Sequence, residues 1–188
     1  MAKQQTIDVP AGYLAGTWQI DPVHSDVGFS VRHMMVSKVR GRFHGVTGTI
    51  HLADDPSQSS VEAVIDMTTL DTGNTDRDDH VRSADFFEVE RFPSMTFRST
   101  SVEPAGNDLV VRGELTLHGV TRPVNLDLEV NGFTKDPFGG TRCGFTASTT
   151  INRKDFGISI EMPMDGGGVV VGDKVNVTLE IEAVLEEG

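Results

Sequence analysis

Apolar residues recur at every second position in six separate segments, and this period constrains the fold more than any other feature of the chain. Val27, Phe29 and Val31 make the first segment, and Val61, Ala63, Ile65 and Met67 the second. Leu109, Val111, Leu115 and Leu117 follow, with Gly113 keeping the phase, and then Val124, Leu126, Leu128 and Val130. The last two are Phe145, Ala147, Thr149, Ile151 and Val175, Val177, Leu179, Ile181, Ala183. A strand sends successive side chains to opposite faces, so each segment has one apolar and one polar face. Such alternation belongs to antiparallel sheet with one face on a core and the other in water. Turn-forming clusters separate the segments: Asp54-Asp55-Pro56, Gly106-Asn107-Asp108, His118-Gly119, Asp136 to Gly140, and Gly166-Gly167-Gly168.

Two further strands are less regular. Residues 36–52 carry Phe43 on one parity and Val46, Ile50 and Leu52 on the other, so a bulge or glycine bend near Gly45 is needed to restore one inward face. Residues 92–102 turn Met95 and Phe97 inward after Pro93. One segment breaks the period. Asn74 and Thr75 are N-cap types, Thr75 and Asp78 stand at capping-box spacing, and acidic residues crowd the first turn. A helix is expected over 75–90, its second half loose, stopped before Pro93. Residues 1–15 are expected to form a loosely held tail, leaving 16–186 as one domain.

Eight or nine strands and one helix fit a sandwich or a closed up-and-down barrel. Sequential hairpins without a long crossover favour the barrel. An eight-stranded barrel is filled by its own side chains or holds one small ligand, and alternation alone leaves both open.

The composition excludes several partners. With 16 basic and 28 acidic side chains the net charge is −12, so nucleic acid finds no basic footprint and an anionic membrane repels the chain as a whole. Cys143 stands alone and forms no internal disulfide. No cysteine or histidine spacing suggests zinc. The first 21 residues contain no apolar run of signal-peptide length, and no window of the chain is apolar enough to span a membrane, so a cytoplasmic protein is expected.

The order and spacing of short motifs then carry a resemblance. WQIDPVHS at 18–25, GRF at 41–43, DTG at 71–73 leading into RDDHVRSADFF at 77–87, FPSMTF at 92–97, GELTLHGVT at 113–121, NRKDFG at 152–157 and VGDKV at 171–175 together resemble the YceI-like family. The resemblance implies an all-β fold with one helix: an extended antiparallel eight-stranded lipocalin-like barrel enclosing an apolar channel. It implies an isoprenoid or fatty chain in that channel, no catalytic residues, no metal or cofactor, and a possible homodimer. Many relatives are exported, and this sequence departs from them in lacking a recognisable signal.

The residues expected to line the channel are Phe29, Val31, Phe43, Ile65, Met67, Phe86, Phe87, Met95, Phe97, Leu115, Leu117, Leu126, Leu128, Phe145, Val177 and Leu179. His33, Arg77, His80 and Arg82 are candidates for a polar head group, because guanidinium groups bind phosphate and carbonyl oxygens with directed hydrogen bonds. For the segment 77–82 a structural role, tying the helix to the barrel, stands beside the binding role. A calcium-loop reading of 71–82 fails, since Asp76 and Arg82 stand where glycine and glutamate are required. His24-Ser25 lacks the setting of a nucleophile pair and reads as a turn. Gly166-Gly167-Gly168 lacks the lysine and helix of a phosphate loop. Arg153 and Asp155 are expected to pair, with Phe156 plugging a barrel end. The expected function is non-catalytic binding, transport or storage of a long-chain isoprenoid lipid, a polyprenyl phosphate or isoprenoid quinone. An enzyme acting on such a lipid through His33 or Arg77–His80 is one alternative, and a filled barrel with a protein partner is the other.

Overall fold

The computed structural model describes residues 6–162, 164 and 170–188. Its strands are β1 (Gly16–Ile20), β2 (Asp26–His33), β3 (Ser37–Phe43), β4 (Val46–Leu52), β5 (Ser60–Asp66), β6 (Leu70–Asp71), β7 (Ser94–Ala105), β8 (Asp108–Leu117), β9 (Val120–Lys135), β10 (Thr141–Asn152) and β11 (Val171–Leu185). One α-helix, α1 (Thr75–Arg82), stands between β6 and β7. All the pairings are antiparallel, and β11 returns to pair with β1, which closes the sheet.

The eleven strands make eight staves. β1 and β2 lie end to end beside β11, with Ile20 opposite Ala183 and Asp26 opposite Glu180. β4 and β3 run beside them as the next stave, then β5 and β6. β7 to β11 are single long strands. The barrel is therefore an up-and-down eight-stranded one. The longest single strand, β9, has 16 residues. At about 3.3 Å per residue and a tilt near 40° it makes a wall roughly 40 Å tall.

The first three staves each bend at a corner, and each corner reverses the inward parity. Trp18 and Ile20 point inward before Asp21–Ser25, Val27 and Phe29 after it. Phe43 and Val46 are both buried on either side of His44–Gly45. The phase change read near Gly45 is this corner. A side chain at Gly45 would meet Asp66 and Thr69 carbons at 2.9 Å, and the Gly45 N–H donates to the Thr69 hydroxyl at 3.1 Å. The third corner is the 3-10 turn Met67–Thr69, capped by the Asp66 carboxylate. Met67 is thereby packed into the wall. Two register shifts do the same work in the long staves: one between Ser99 and Ser101 lets Val102 point inward, the other beside Gly144 admits Phe133.

The helix is shorter than the expected 75–90. Asn74 is the N-cap, accepting from the Arg77 N–H at 2.9 Å, and Ser83 ends the helix. Asp78 does not close a capping box; its buried carboxylate accepts the Thr72 N–H at 2.8 Å and fixes the loop from β6. Residues 83–93 form turns. Residues 6–15, expected to trail, lie against the barrel. The Tyr13 hydroxyl donates to the Ala53 carbonyl at 2.6 Å, and Ile7 packs beside Phe97, Val102 and Val111. The glycine triplet at 166–168 lies outside the described residues.

The alternation predicts opposite outcomes for adjacent positions. Phe97→Asp puts a carboxylate into the apolar interior and is expected to cost more than about 3 kcal/mol or abolish folding. Thr96→Asp, on the solvent face, is expected to stay within about 1 kcal/mol of the parent. Urea unfolding midpoints of the two variants check this.

Candidate functional site

A closed ring of eight staves whose inward faces are aliphatic and aromatic has either a solid core or a void. Several inward side chains are only half buried: Leu126, Leu128, Val177 and Leu179 among them. They face a cavity of about 670 Å³ inside the barrel. That lies within the roughly 300–1,000 Å³ typical of small-molecule sites. The cavity runs the length of the barrel. At one end it is lined by Thr6–Pro10, Tyr13 and the β7–β8 turn, and at the other by His33, Arg77, His80 and Val170.

Of the apolar residues expected to line a channel, all reach this cavity except Met67, which the third corner turns into solid packing with an exposure of 2%. Phe29, Phe43 and Phe87 form a cluster near the helix end, with centroids 5.6 to 6.5 Å apart and Phe87 edge-on to the other two. Phe86 and Phe87 owe their place to the turns after α1, where the Phe87 N–H donates to the Val81 carbonyl at 3.1 Å.

Three of the four polar candidates stand at that end. His33 closes β2 opposite Val171 and lines the cavity. Arg77 lines it too, while its guanidinium is held by the Thr72 hydroxyl at 2.9 Å and carbonyl at 2.7 Å. His80 lines it, with Nε2 at 2.9 Å from Asp85 and its ring edge-on to Phe86. Arg82 does not line the cavity. It donates to the Leu70 carbonyl at 2.8 Å and meets Asp79 at 3.3 Å, so it fastens the helix to β6.

Sequence reasoning did not anticipate three parts of the site. Thr6–Pro10 and Tyr13 close the far end; the alternation of Ile7 and Val9 was its only signal. Arg153, 4% exposed, lines the cavity but donates to the carbonyls of Ile158 at 2.8 Å and Gly172 at 3.0 Å. Its carboxylate partner is Asp173 at 3.4 Å rather than the expected Asp155, whose carbonyl accepts from Arg122. Phe156 is fully buried in the core and does not line the cavity.

The third part is an ionic cluster at the first corner. Arg142 reaches Asp21 at 2.8 Å, Asp136 at 2.9 Å and Glu182 at 3.3 Å. His24 joins through Nδ1, 2.8 Å from Asp21, and the Ser25 hydroxyl donates to the Glu182 carbonyl at 3.1 Å. His24 and Ser25 thus serve the corner separately. Asp21, His24 and Glu182 have their ligand atoms within 4.8 Å of one another, but the Arg142 guanidinium supplies the positive charge between the two carboxylates. Partial burial pushes the Asp21 carboxyl up, yet hydrogen bonds from His24, Arg142 and the Val23 N–H outweigh it and hold the group at about 2, below its ordinary 3.8. Burial pushes the Cys143 thiol up to about 12, which removes it as a nucleophile at neutral pH.

The fold and the cavity define a class: a lipocalin-like closed barrel with an apolar interior and a polar rim at one end. The YceI-like domain family matches residues 18–183, and the chain belongs to that family. Protein YceI of Escherichia coli is 40% identical over 177 residues, covering 93% of this chain and 90% of that protein. Among solved structures, BcnA of Burkholderia cenocepacia superposes with a TM-score of 0.74 at 24% identity, over 87% of this chain and 98% of that one. A polyisoprenoid binding domain from Saccharophagus degradans has a TM-score of 0.68 at 18% identity, over 92% of this chain and all of that one (100%). At these identities the two structures bear on the fold alone.

The corner cluster predicts a pH signature. A carboxylate held below its unfolded value adds stability above that value and loses it as pH falls through the folded one. Arg142→Met is therefore expected to be less stable than the parent at pH 7, and the gap should narrow as pH falls from about 4 through about 2, below which Asp21 becomes neutral in both. Denaturant titrations at stepped pH check this, and a constant gap would contradict it.

Proposed function

We propose that this protein binds a long-chain isoprenoid lipid in its barrel, as a non-catalytic carrier or store. The observation that carries the reading is the continuous apolar cavity, around which inward side chains such as Leu126, Leu128, Val177 and Leu179 stay only partly buried because nothing of the protein's own among the described residues fills the space between them. Each buried CH₂ contributes about 0.8 kcal/mol, so enclosing even part of a polyprenyl chain offsets the entropy of holding it. The Saccharophagus degradans domain, named for polyisoprenoid binding, shares the fold on which this reading rests. The lipid's polar end fits the rim formed by His33, Arg77 and His80, and its chain runs towards Tyr13 and the N-terminal segment. His80 at the rim is engaged by Asp85 at 2.9 Å, and this pair is exposed to solvent rather than enclosed with the apolar lining, which supports binding over turnover.

Mass spectrometry of the protein purified from its own host, native and after organic extraction, tests this. The expected result is a stoichiometric lipid of one chain-length class. A bare protein mass that stays unchanged after incubation with quinones and polyprenyl phosphates overturns the reading. Leu128→Trp, which fills the void from β9, is expected to reduce the retained lipid severalfold while the protein stays folded. Arg77→Ala is expected to weaken retention about tenfold or more for a polyprenyl phosphate, since a charge-assisted bond is lost, and to change it little for a quinone.

A further inference from the structure

We propose that the β2–β3 hairpin, residues 32–40, is a docking tip that seats the rim of the cavity on an anionic lipid bilayer. The inference extends the lipid-binding reading by naming the surface at which a lipid enters and leaves.

Four observations meet at this hairpin. Its apex exposes large apolar side chains: Met34 at 42%, Met35 at 64% and Val36 at 82%. Its stem is part of the cavity wall, since Val31, His33 and Val39 line the interior, and the Met34 N–H donates at 2.8 Å to Val170, another lining residue. The apex therefore projects directly from the rim.

Its backbone is unfavourable for the residues it carries. Met34 and Met35 have φ of 50° and 62°, the left-handed region that glycine and asparagine enter at lower cost. The turn His33–Val36, closed by the Val36 N–H donating to the His33 carbonyl at 3.2 Å, has positive φ at both central residues, a pair of positions that ordinarily takes Asn-Gly. Two methionines there give up stability in exchange for apolar side chains at the tip, and backbone strain of this sort gathers at functional positions.

Charge is the fourth. From Val27 to Ala53 the sequence holds no aspartate or glutamate, while Arg32, Lys38, Arg40 and Arg42 all fall there, in a chain of net charge −12. Arg32, Lys38 and Arg40 are exposed. Arg42 is the one of the four that reaches a carboxylate among the described residues, Asp26 at 3.9 Å. The helix on the same rim carries Asp76 and Asp79, so the hairpin is the basic side of the opening.

An apolar apex flanked by basic side chains matches the boundary of an anionic bilayer. The methionines and the valine enter between the head groups, and the arginines and lysine meet the phosphates. The acidic remainder of the surface is repelled, which sets the orientation with the hairpin leading. A second copy of the chain fits less well, because a stable protein interface buries about 800 Å² on each partner and this apex presents only three side chains.

The test is flotation with vesicles of phosphatidylcholine mixed with phosphatidylglycerol, against vesicles of phosphatidylcholine alone. The parent is expected to float with the anionic vesicles and to lose that association as salt is raised. Lys38→Glu with Arg40→Glu is expected to lower partition at least about fivefold for each residue changed. Met34→Gly with Met35→Gly is expected to lower it too, while melting at or above the parent's temperature, because glycine suits the turn. Flotation that is absent at low salt, equal on neutral vesicles or unchanged in both variants overturns the proposal, as does sedimentation showing that the hairpin joins two copies. Retained lipid is measured in the same preparations. A parent that holds no lipid overturns the carrier reading, and the vesicle result judges the hairpin independently.

Discussion

When β11 pairs with β1 the ring closes, and every stave has a hydrogen-bonded neighbour on both sides, with the two-residue β6 alone paired on one side only among the described residues. That closure is what permits an interior with a void. An open sheet must bury its apolar face against something, whereas a ring holds its shape through its own backbone. The side chains that pack solidly are correspondingly concentrated around the three corners and the turns near β11: Trp18, Val46, Met67, Leu70 and Phe156 are the largest fully buried ones. Trp18, Met67, Leu70 and Phe156 pack away from the cavity, whereas Val46 both packs solidly and lines it.

The corners reconcile the closed ring with its contents. β11 keeps a single inward parity from Val171 to Ala183, whereas the three staves with corners reverse parity along their length. Each corner inserts residues that reset the phase, and each is stitched across staves. Gly45 accepts from the Asp66 N–H at 2.8 Å, linking the second corner to the third. Arg142 ties the first corner to β10 and to the β9–β10 turn. The ions at the first corner hold a bend in place, as Asp21's lowered pKa reflects.

Much of this was legible in the sequence, for a definite reason. Period two survives burial, so Phe29, Phe97, Leu126 and Val177 show their faces without any tertiary knowledge, and the order of hairpins makes a barrel the economical closure. The failures fall where local pattern and long-range contact part. Met67 continues the parity of Ile65, but the 3-10 turn that redirects it is stabilised by Asp66 and by contacts across the sheet. Arg153 has a carboxylate two residues away, yet the chain folds it onto carbonyls and a carboxylate near residue 172. Arg82 has the chemistry of a head-group ligand and faces Leu70 instead. Residues 6–15 are too short, and too interrupted by Pro10 and Gly12, to announce themselves; only the finished barrel shows what Ile7 and Tyr13 have to rest against.

That resting place has an optical consequence. Trp18 is the single tryptophan, it is fully buried, and its indole N–H donates to the Leu14 carbonyl at 3.3 Å. Phe133 stands edge-on to it at 5.7 Å and edge-on to Tyr13 at 5.5 Å, so one ring lies between the tryptophan and the segment that closes the far end of the cavity. The chain thereby carries an intrinsic fluorophore wired to its own N-terminal closure. Emission from this one indole registers whether the segment is seated, with no label attached and no residue replaced.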